Sequence, residues 1–348
     1  MVSKIFVKRI YWNIRRISHH RIKTHKFPFF VQNPSKDTYK LKNWKAYNQS
    51  LCNRGRLTIW IEDSVLRSWR DIDVTKKVVG EQTYPDSVIL CCLILGIQYH
   101  QPLRQTTGFV GSLLALMGKG NYAIPDYSTL CRRQDSLPVG LTKRWEKGEN
   151  INIAIDSTGL KVYGEGEWKV RAHGVSKRRT WRKLHIGIDV NTQEIISVCL
   201  TGNDEDDAAV AQKMVEGKTE KIESFRGDGA YDDFSLREKL GASIEQIIPP
   251  PKDAVIHYGT KKKPLPDYLI QRNQAVESIQ EIGRKGWKIN SGYHQRSLNE
   301  TVMFRYKTSF GGEMTTRKFE HQKTEVNIKC HILNTYRRQG KPVAYKVA

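Results

Sequence analysis

Apolar residues recur along the chain at two different spacings, and the change from one to the other falls near residue 150. Between residues 44 and 138 the spacing is that of helices, and residues 88–97 form an unbroken apolar stretch of ten. A helix needs about 20 such residues to cross a bilayer, so this stretch predicts a buried core helix. Asp63, Asp86 and Pro102 stand where helices are predicted to begin. We therefore predict a small helical domain over residues 44–140.

From residue 151 onward the apolar pattern has a period of two. Isoleucines at positions 151, 153 and 155 alternate with smaller or polar residues, which is typical of a strand. The later pattern predicts further strands over 183–190, 194–200, 222–226 and 244–248, helices over 206–215 and 234–240, and a long helical region after residue 266. This order predicts an α/β fold over residues 150–340, in which helices cover the faces of a mixed sheet.

The chain is strongly cationic, because 58 Lys and Arg face only 36 Asp and Glu, a net charge of +22. Such an excess repels itself unless an anion offsets it, and the commonest extended polyanion is nucleic acid. Residues 1–43 contain no acid before Asp37 and are predicted to form a flexible basic arm. The arm either contacts DNA phosphates or is a solvated tail. The second alternative includes the case in which the arm is upstream sequence read from a start codon placed too early.

A second basic feature lies within the predicted helical domain. Residues 125–137 begin with Pro125, carry hydroxyl groups on the first turn and place Arg132 and Arg133 further along. These features suit the recognition helix of a candidate helix-turn-helix that lies in a DNA groove and uses the two arginines to bind DNA. An ordinary surface helix in a small bundle explains the same pattern.

Two carboxylates accompany predicted strands. Asp156 lies on the polar face of the first strand, and Asp228 follows the strand over 222–226 between Gly227 and Gly229. A strand presents a carboxylate from a rigid element, and flanking glycines allow a backbone or a ligand to approach closely. Taken singly, each aspartate is more often a hydrogen-bonding or turn residue than a metal ligand.

Residues 291–312 predict a helix with two distinct faces. At 3.6 residues per turn, Tyr293, Glu300 and Lys307 lie nearly above one another, and Arg296 lies close to them. An apolar stripe at a spacing of four contains Leu298, Val302, Tyr306 and Phe310. One face can therefore be buried while the other presents Tyr, Arg, Glu and Lys together. For an arbitrary helix, a charged solvent face is the simpler interpretation.

The spacing Tyr293-x2-Arg296-x3-Glu300-x6-Lys307 resembles the Tyr-Arg-Glu-Lys signature of bacterial insertion-sequence transposases with an Asp-Asp-Glu (DDE) triad. The segments IDSTGLKVYGEGEWK and GDGAYDD, around the two aspartates, resemble the two Asp motifs of that group. The segment WRKLHIGID, at 181–189, resembles its second strand. The likeness is to the insertion-sequence-five family and runs from about residue 44 to the C-terminus. The basic arm is not part of the family pattern.

This resemblance implies an RNase-H-like catalytic domain that cuts and joins DNA ends. Asp156, Asp228 and Glu300 are the implied catalytic and metal-binding residues. Asp156 would bridge two Mg²⁺ ions, the other two carboxylates would each complete one site, and Mn²⁺ should substitute. The signature residues implied to bind DNA phosphates are Tyr293, Arg296 and Lys307.

The implied partner is double-stranded DNA, both as element ends and as target, bound by a homodimer or a higher oligomer. On such an enzyme the basic hairpin beside the first strand is a phosphate track, and elsewhere it would be a solvated loop; it contains Arg178, Arg179, Arg182 and Lys183. No membrane partner is expected, and the expected location is the bacterial cytoplasm, in association with the nucleoid. Two alternatives stay open: a metal-dependent DNA endonuclease without strand transfer, and a non-catalytic DNA-binding relic.

Overall fold

The computed structural model describes residues 38–72, 84–163, 180–260 and 262–347. The helices within these residues are α1 (Trp44–Arg54), α2 (Asp63–Arg70), α3 (Asp86–Gln98), α4 (Leu103–Leu116), α5 (Tyr127–Arg133), α6 (Asp207–Val215), α7 (Phe234–Leu240), α8 (Asp267–Asn290), α9 (Ser297–Phe310) and α10 (Phe319–Gln339). The strands are β1 (Thr38–Leu41), β2 (Ile151–Tyr163), β3 (Thr180–Asp189), β4 (Ile195–Thr201), β5 (Ile222–Arg226), β6 (Glu245–Ile247) and β7 (Ala344–Val347).

These elements fall into two units. In the smaller unit β1 and β7 pair antiparallel, with Thr38 opposite Val347. The larger unit comprises residues 43–342 and contains every other helix and strand described. Most of the predicted basic arm, residues 1–37, lies outside the described residues.

A five-stranded mixed sheet in the order β4-β3-β2-β5-β6 is the frame of the larger unit. β2, β3 and β4 pair antiparallel, while β5 pairs parallel with β2 and β6 pairs parallel with β5. An antiparallel pair can be joined by a turn, as β3 and β4 are, whereas a parallel pair needs a crossover connection. Helices α6 and α7 lie in the connections that lead to β5 and β6. This is the RNase-H-like arrangement, and the predicted α/β fold is confirmed.

The period of two in β2 decides which helices cover which face of the sheet. Ile151, Ile153 and Ile155 are fully buried in a core shared with α6 and α7. Ala154 belongs to a second core, which contains residues of α9 and α10. Successive side chains of a strand point to opposite faces, so Asp156 shares the face of Ala154. The polar face of this strand is therefore covered by helices rather than by solvent.

Helices α2–α5 surround a separate apolar core, to which α10 also contributes. Trp69 and the apolar residues of α3 are buried there together with Ile328 and Ile332 of α10. Val326 and Cys330, on the same helix, pack instead into the sheet core. Helix α10 is thus common to both cores, and it joins the helical part to the sheet within one unit.

Most element boundaries agree with the apolar pattern, but two helices differ from prediction. Helix α5 ends at Arg133, earlier than predicted, and the chain turns there so that Leu137 is buried in the helical core. The continuous helix predicted over 291–312 is wrong at its start, because Tyr293–Arg296 forms a 3-10 turn and α9 begins afterwards. Gly292 has a left-handed φ of 65° and separates this turn from α8.

Candidate active site

Asp156 and Asp228 are positioned by the register of two parallel strands. Ala154 of β2 is opposite Arg226 of β5, and each aspartate follows its strand residue by two positions. Because parallel strands run in the same direction, equal offsets place both carboxylates toward the same edge of the sheet. The two residues are 72 positions apart in the chain, so strand register rather than sequence proximity brings them together.

The turn after β5 is built around Asp228 and a buried ring. Oδ1 of Asp228 accepts a hydrogen bond from the Ala230 N–H at 2.9 Å and so caps the 3-10 turn Gly229–Tyr231. A Cβ at Gly227 would lie 2.8 Å from the ring of Tyr231, which is almost fully buried. The close approach at this glycine is therefore made by the chain's own tyrosine, and it fixes the backbone that presents Asp228.

Helix α9 is anchored to the sheet by the residue that precedes Glu300. Asn299 is fully buried, and its Nδ2 donates to the carbonyl oxygens of Ala154 at 2.9 Å and Ile186 at 2.7 Å. The predicted apolar stripe is confirmed, because it packs into the sheet core through Leu298, Val302, Tyr306 and Phe310. Sequence reasoning missed Asn299, since a single Asn between apolar and charged helix positions carries no distinctive signal.

Arg296 connects two of the three carboxylates. Its Nη1 lies 2.7 Å from Asp156 Oδ2, and its Nη2 lies 2.5 Å from Glu300 Oε1. The Asp156 side chain is 16% exposed, whereas that of Glu300 is 56% exposed. The arginine therefore ties a half-buried strand carboxylate to a more exposed helix carboxylate.

The pKa of Asp156 reports the balance of charge at this site. Burial raises it above its ordinary value. The N–H of Ser157 and the guanidinium of Arg296 act against this shift, while the negative charges of Asp228 and Glu300 add to it. Asp156 thus lies within electrostatic range of the other two carboxylates.

The remaining signature residues differ in their surroundings. Tyr293 packs on the buried Trp287, with ring centroids 5.9 Å apart, and the guanidinium carbon of Arg296 lies 5.8 Å from the centre of the Tyr293 ring. Trp287, also missed by sequence reasoning, therefore supports the ring that flanks Arg296. Lys307 is exposed in the last turn of α9.

Residues of the predicted basic hairpin are only partly described. Arg178 and Arg179 lie outside the described residues. Arg182 donates from Nε to a glutamine of α10 at 3.0 Å, and Lys183 pairs with Asp207 at 3.2 Å. These two cations of β3 therefore already have protein partners, on α10 and α6 respectively.

The two arginines of α5 also differ. Asp126 caps this helix by accepting from the Ser128 N–H at 2.8 Å. Arg133 forms an ion pair with Asp86 and donates to the backbone carbonyl of Tyr84, which precedes α3, and its side chain is largely buried. Arg132 is exposed. Of the two, Arg132 is the one whose side chain faces solvent.

A buried ion cluster holds the segment that follows Asp228. Asp232 is 3% exposed and lies 2.7 Å from Arg237 and 3.2 Å from Arg272. These arginines belong to α7 and α8, so one carboxylate ties both helices to the turn after β5. A buried charge of this kind is tolerated only when it is paired and hydrogen-bonded. The sequence contained no signal that Asp232 pairs with a residue 40 positions away.

The chemistry of the donor set decides which ion this site suits. Three carboxylates are hard oxygen donors, the type that Mg²⁺ and similar divalent cations prefer. Among the described residues, no three His, Cys, Asp or Glu side chains come close enough together to hold a metal ion. The guanidinium of Arg296 lies between Asp156 and Glu300 and offsets their charge. The donor type fits a divalent cation, whereas in this structure Arg296 occupies the space between two of the carboxylates.

The five-stranded mixed sheet and its flanking helices place the chain in the RNase-H-like fold class. Two family models, both described as Transposase DDE domain, match residues 52–165 and 148–335. The second spans more than half of the chain and includes Asp156, Asp228 and Glu300. The chain therefore belongs to the DDE transposase family, whose members are metal-dependent enzymes of DNA cleavage and transposition.

This membership confirms the resemblance seen in the motifs at the level of the DDE transposases, while the insertion-sequence-five assignment stays a prediction. The family generally uses divalent metal ions and acts on DNA. No helix among the described residues is long and apolar enough to cross a bilayer.

Proposed function

We propose that this protein binds the terminal inverted repeats of its own insertion sequence, cleaves the DNA at the element ends and joins the freed 3′ ends to target DNA. The observation that carries the proposal is the convergence of signature residues on one sheet edge. Arg296 contacts both Asp156 and Glu300, and the charge of Asp228 is felt by Asp156. All of these residues lie within the matched family region.

The reaction consists of two in-line phosphoryl displacements, first by water and then by the freed 3′ hydroxyl. Asp156, Asp228 and Glu300 would hold two Mg²⁺ ions, or Mn²⁺ as a substitute. Such ions, when bound, stabilise the attacking and the leaving oxygen of a displacement. Asp156 would contribute to both ion sites and the other two carboxylates to one each, and the charges of Asp228 and Glu300 that act on Asp156 support this assignment.

The cationic residues of the site would bind the substrate backbone. In the free protein Arg296 compensates the charge of Asp156 and Glu300. We expect its planar fork to transfer to a phosphate when DNA fills the site, with the Tyr293 ring limiting its movement. Exposed Lys307 would add a point charge toward the same strand.

Recognition of element ends belongs to the same proposal. Exposed Arg132 on α5 would approach the DNA in a helix-turn-helix manner, and the basic hairpin and the arm would bind phosphates without choosing a sequence. The working assembly would be a homodimer or a higher oligomer on DNA in the cytoplasm, in association with the nucleoid. A net charge of +22 supports DNA as the partner.

The test is cleavage of DNA that carries the element and its flanking inverted repeats, in Mg²⁺, beside a gel shift with the same preparations. Asp156→Ala, Asp228→Ala and Glu300→Ala should each abolish cleavage and spare DNA binding. Glu320→Ala removes an exposed carboxylate on α10 and is the matched control, so it should cut normally. A triad variant that cuts at close to the wild-type rate would remove that residue from the site.

The same assay separates the two alternatives. A metal-dependent endonuclease would release cut ends but yield no molecules joined to target DNA. A DNA-binding relic would shift the DNA and leave it intact in both Mg²⁺ and Mn²⁺. The presence of all three carboxylates favours the transposase over the relic.

A further inference from the structure

A cavity of about 220 Å³ lies between α1, α9 and α10, and three arginines line it. They are Arg54, Arg305 and Arg337, one from each helix. Arg305 follows Glu300 by five positions, which is about 140° around α9 at roughly 100° per residue. The cavity is therefore on a different side of the helix from the catalytic carboxylate.

None of these three arginines forms an ion pair with a carboxylate of the described residues. Arg305 has no hydrogen-bond partner among them, and Nε of Arg54 is buried without one. The Arg54 guanidinium lies 5.1 Å from the centre of the Tyr336 ring, and among the described residues Arg337 donates to the Thr192 carbonyl alone, at 2.8 Å. Three cations thus line one cavity without an ion-paired carboxylate in the described part of the chain.

The cost of this arrangement is visible in the electrostatics. Burial lowers the pKa of Arg305, and the charge of Arg54 lowers it further although Tyr47 acts in the other direction. Burial likewise lowers the pKa of Arg337, and the neighbouring Arg305 adds to that shift. An anion in the cavity would relieve this repulsion. Arg338, one position along α10, differs because it pairs with Glu194 at 2.5 Å.

The lining favours a phosphate group. Guanidinium groups bind phosphate oxygens in a fork geometry. Tyr47, Thr308 and Ser309 line the same cavity, and each has a hydroxyl group that can donate a hydrogen bond. The anion that a strongly cationic DNA enzyme meets most often is the phosphodiester of its substrate.

We propose that Arg54, Arg305 and Arg337 form a phosphate-binding site for the DNA backbone at a point separate from the catalytic carboxylates. This inference deepens the proposed function and rests on it. The site would hold a DNA segment on a second side of α9, so that the catalytic helix lies between two backbone contacts.

The test measures how the affinity for a mixed-sequence DNA duplex depends on salt. Each phosphate contact contributes about −0.9 to the slope of log affinity against log salt. Arg305→Gln and Arg337→Gln should each make the slope shallower by roughly that amount and weaken binding roughly tenfold at low salt. Arg338→Gln, the matched control with an internal partner, should keep the wild-type slope. Arg305→Lys keeps the charge and should keep most of the slope. If Arg305→Gln does not fold, Arg337→Gln tests the slope by itself.

The outcomes distinguish the inference from the function on which it rests. Wild-type slopes in both glutamine variants, in a protein that binds and cleaves DNA, overturn the phosphate site alone. If the wild-type protein binds no DNA duplex at all, the proposed function is wrong. Free phosphate is the other possible ligand of the cavity. A thermal-shift measurement with inorganic phosphate at constant ionic strength tests for it. If phosphate stabilises wild type but not Arg305→Gln while the DNA slopes agree, the cavity binds a free phosphate and the DNA assignment is wrong.

Discussion

Replacement of Asn299 by leucine tests how the catalytic helix is held over the sheet. The side chain is fully buried, and its amide group donates at 2.9 Å and 2.7 Å to carbonyl oxygens of β2 and β3. Leucine has a similar volume but no donor, so both carbonyls lose their side-chain partner in the core. Both carbonyls keep a ladder hydrogen bond between β2 and β3, so the substitution removes two net hydrogen bonds, each worth about 0.5–1.5 kcal/mol. We therefore expect the free energy of unfolding to fall by roughly 1–3 kcal/mol.

Asn327→Leu is the matched control. Asn327 lies on α10, is only partly buried, and donates a single hydrogen bond to the Lys323 carbonyl one turn earlier on the same helix. Its replacement should cost less than about 1 kcal/mol. Equilibrium urea denaturation followed by tryptophan fluorescence measures both variants.

A second substitution separates the hydrogen bonds from the packing. Asn299→Asp keeps the shape but faces two carbonyl oxygens with a carboxylate, so it should be less stable than Asn299→Leu at neutral pH. Repulsion by the carbonyls raises the pKa of this new acid, and its stability relative to wild type should recover as the pH falls and it is protonated.

The functional readout concerns Glu300, the next residue along α9. At a temperature where Asn299→Leu is folded, DNA cleavage should be slowed while duplex binding is unchanged. The reason is that α9 is no longer hydrogen-bonded to β2 and β3, so Glu300 is no longer held in place. A stability loss no larger than that of Asn327→Leu, or an unchanged cleavage rate, would refute the assignment of Asn299 as the anchor.

Three further predictions follow from particular contacts. Arg296→Ala should weaken binding to the cleaved DNA end. Leu298→Ala should lower the free energy of unfolding by up to roughly 2 kcal/mol, which is less than for a fully buried leucine because the Leu298 side chain is only partly buried. Exchanged phenotypes would mean that α9 is rotated. Lys329→Met removes the ammonium group that lies 2.6 Å from the buried Glu325 carboxylate, so the free energy of unfolding measured in urea should fall by roughly 3–5 kcal/mol. Lys323→Met breaks an exposed pair and should cost less than about 1 kcal/mol. Burial lowers the pKa of His185 to about 4 from an ordinary 6.5. Between these two pH values the unfolded chain takes up a proton that the folded chain does not. The free energy of unfolding should therefore fall by roughly 3 kcal/mol at most as the pH is lowered from 6.5 to 4. A His185→Gln variant with the same pH profile as wild type would contradict that explanation.

Local patterns sufficed for the elements that bury one continuous face. The strand Ile222–Arg226 and the helix Phe234–Leu240 have the predicted limits, because a period of two or 3.6 and the flanking turn residues decide them without reference to the rest of the fold. The stripe from Leu298 to Phe310 was readable for the same reason. The family motifs, too, are properties of the sequence, since their spacing along the chain is fixed.

Tertiary structure decided how distant residues meet. Asp156 and Asp228 come to the same edge of the sheet because of the register between β2 and β5. The sequence of either strand alone does not specify that register. The break at Gly292, which sets Tyr293 in a turn and lets α9 begin later, depends on how α8 packs as well as on local propensity. The roles of Asn299, Asp232 and the three cavity arginines also became visible only in the fold. A polar side chain reveals its partner only when the backbone brings in a group from tens or hundreds of positions away, and no periodicity records that contact.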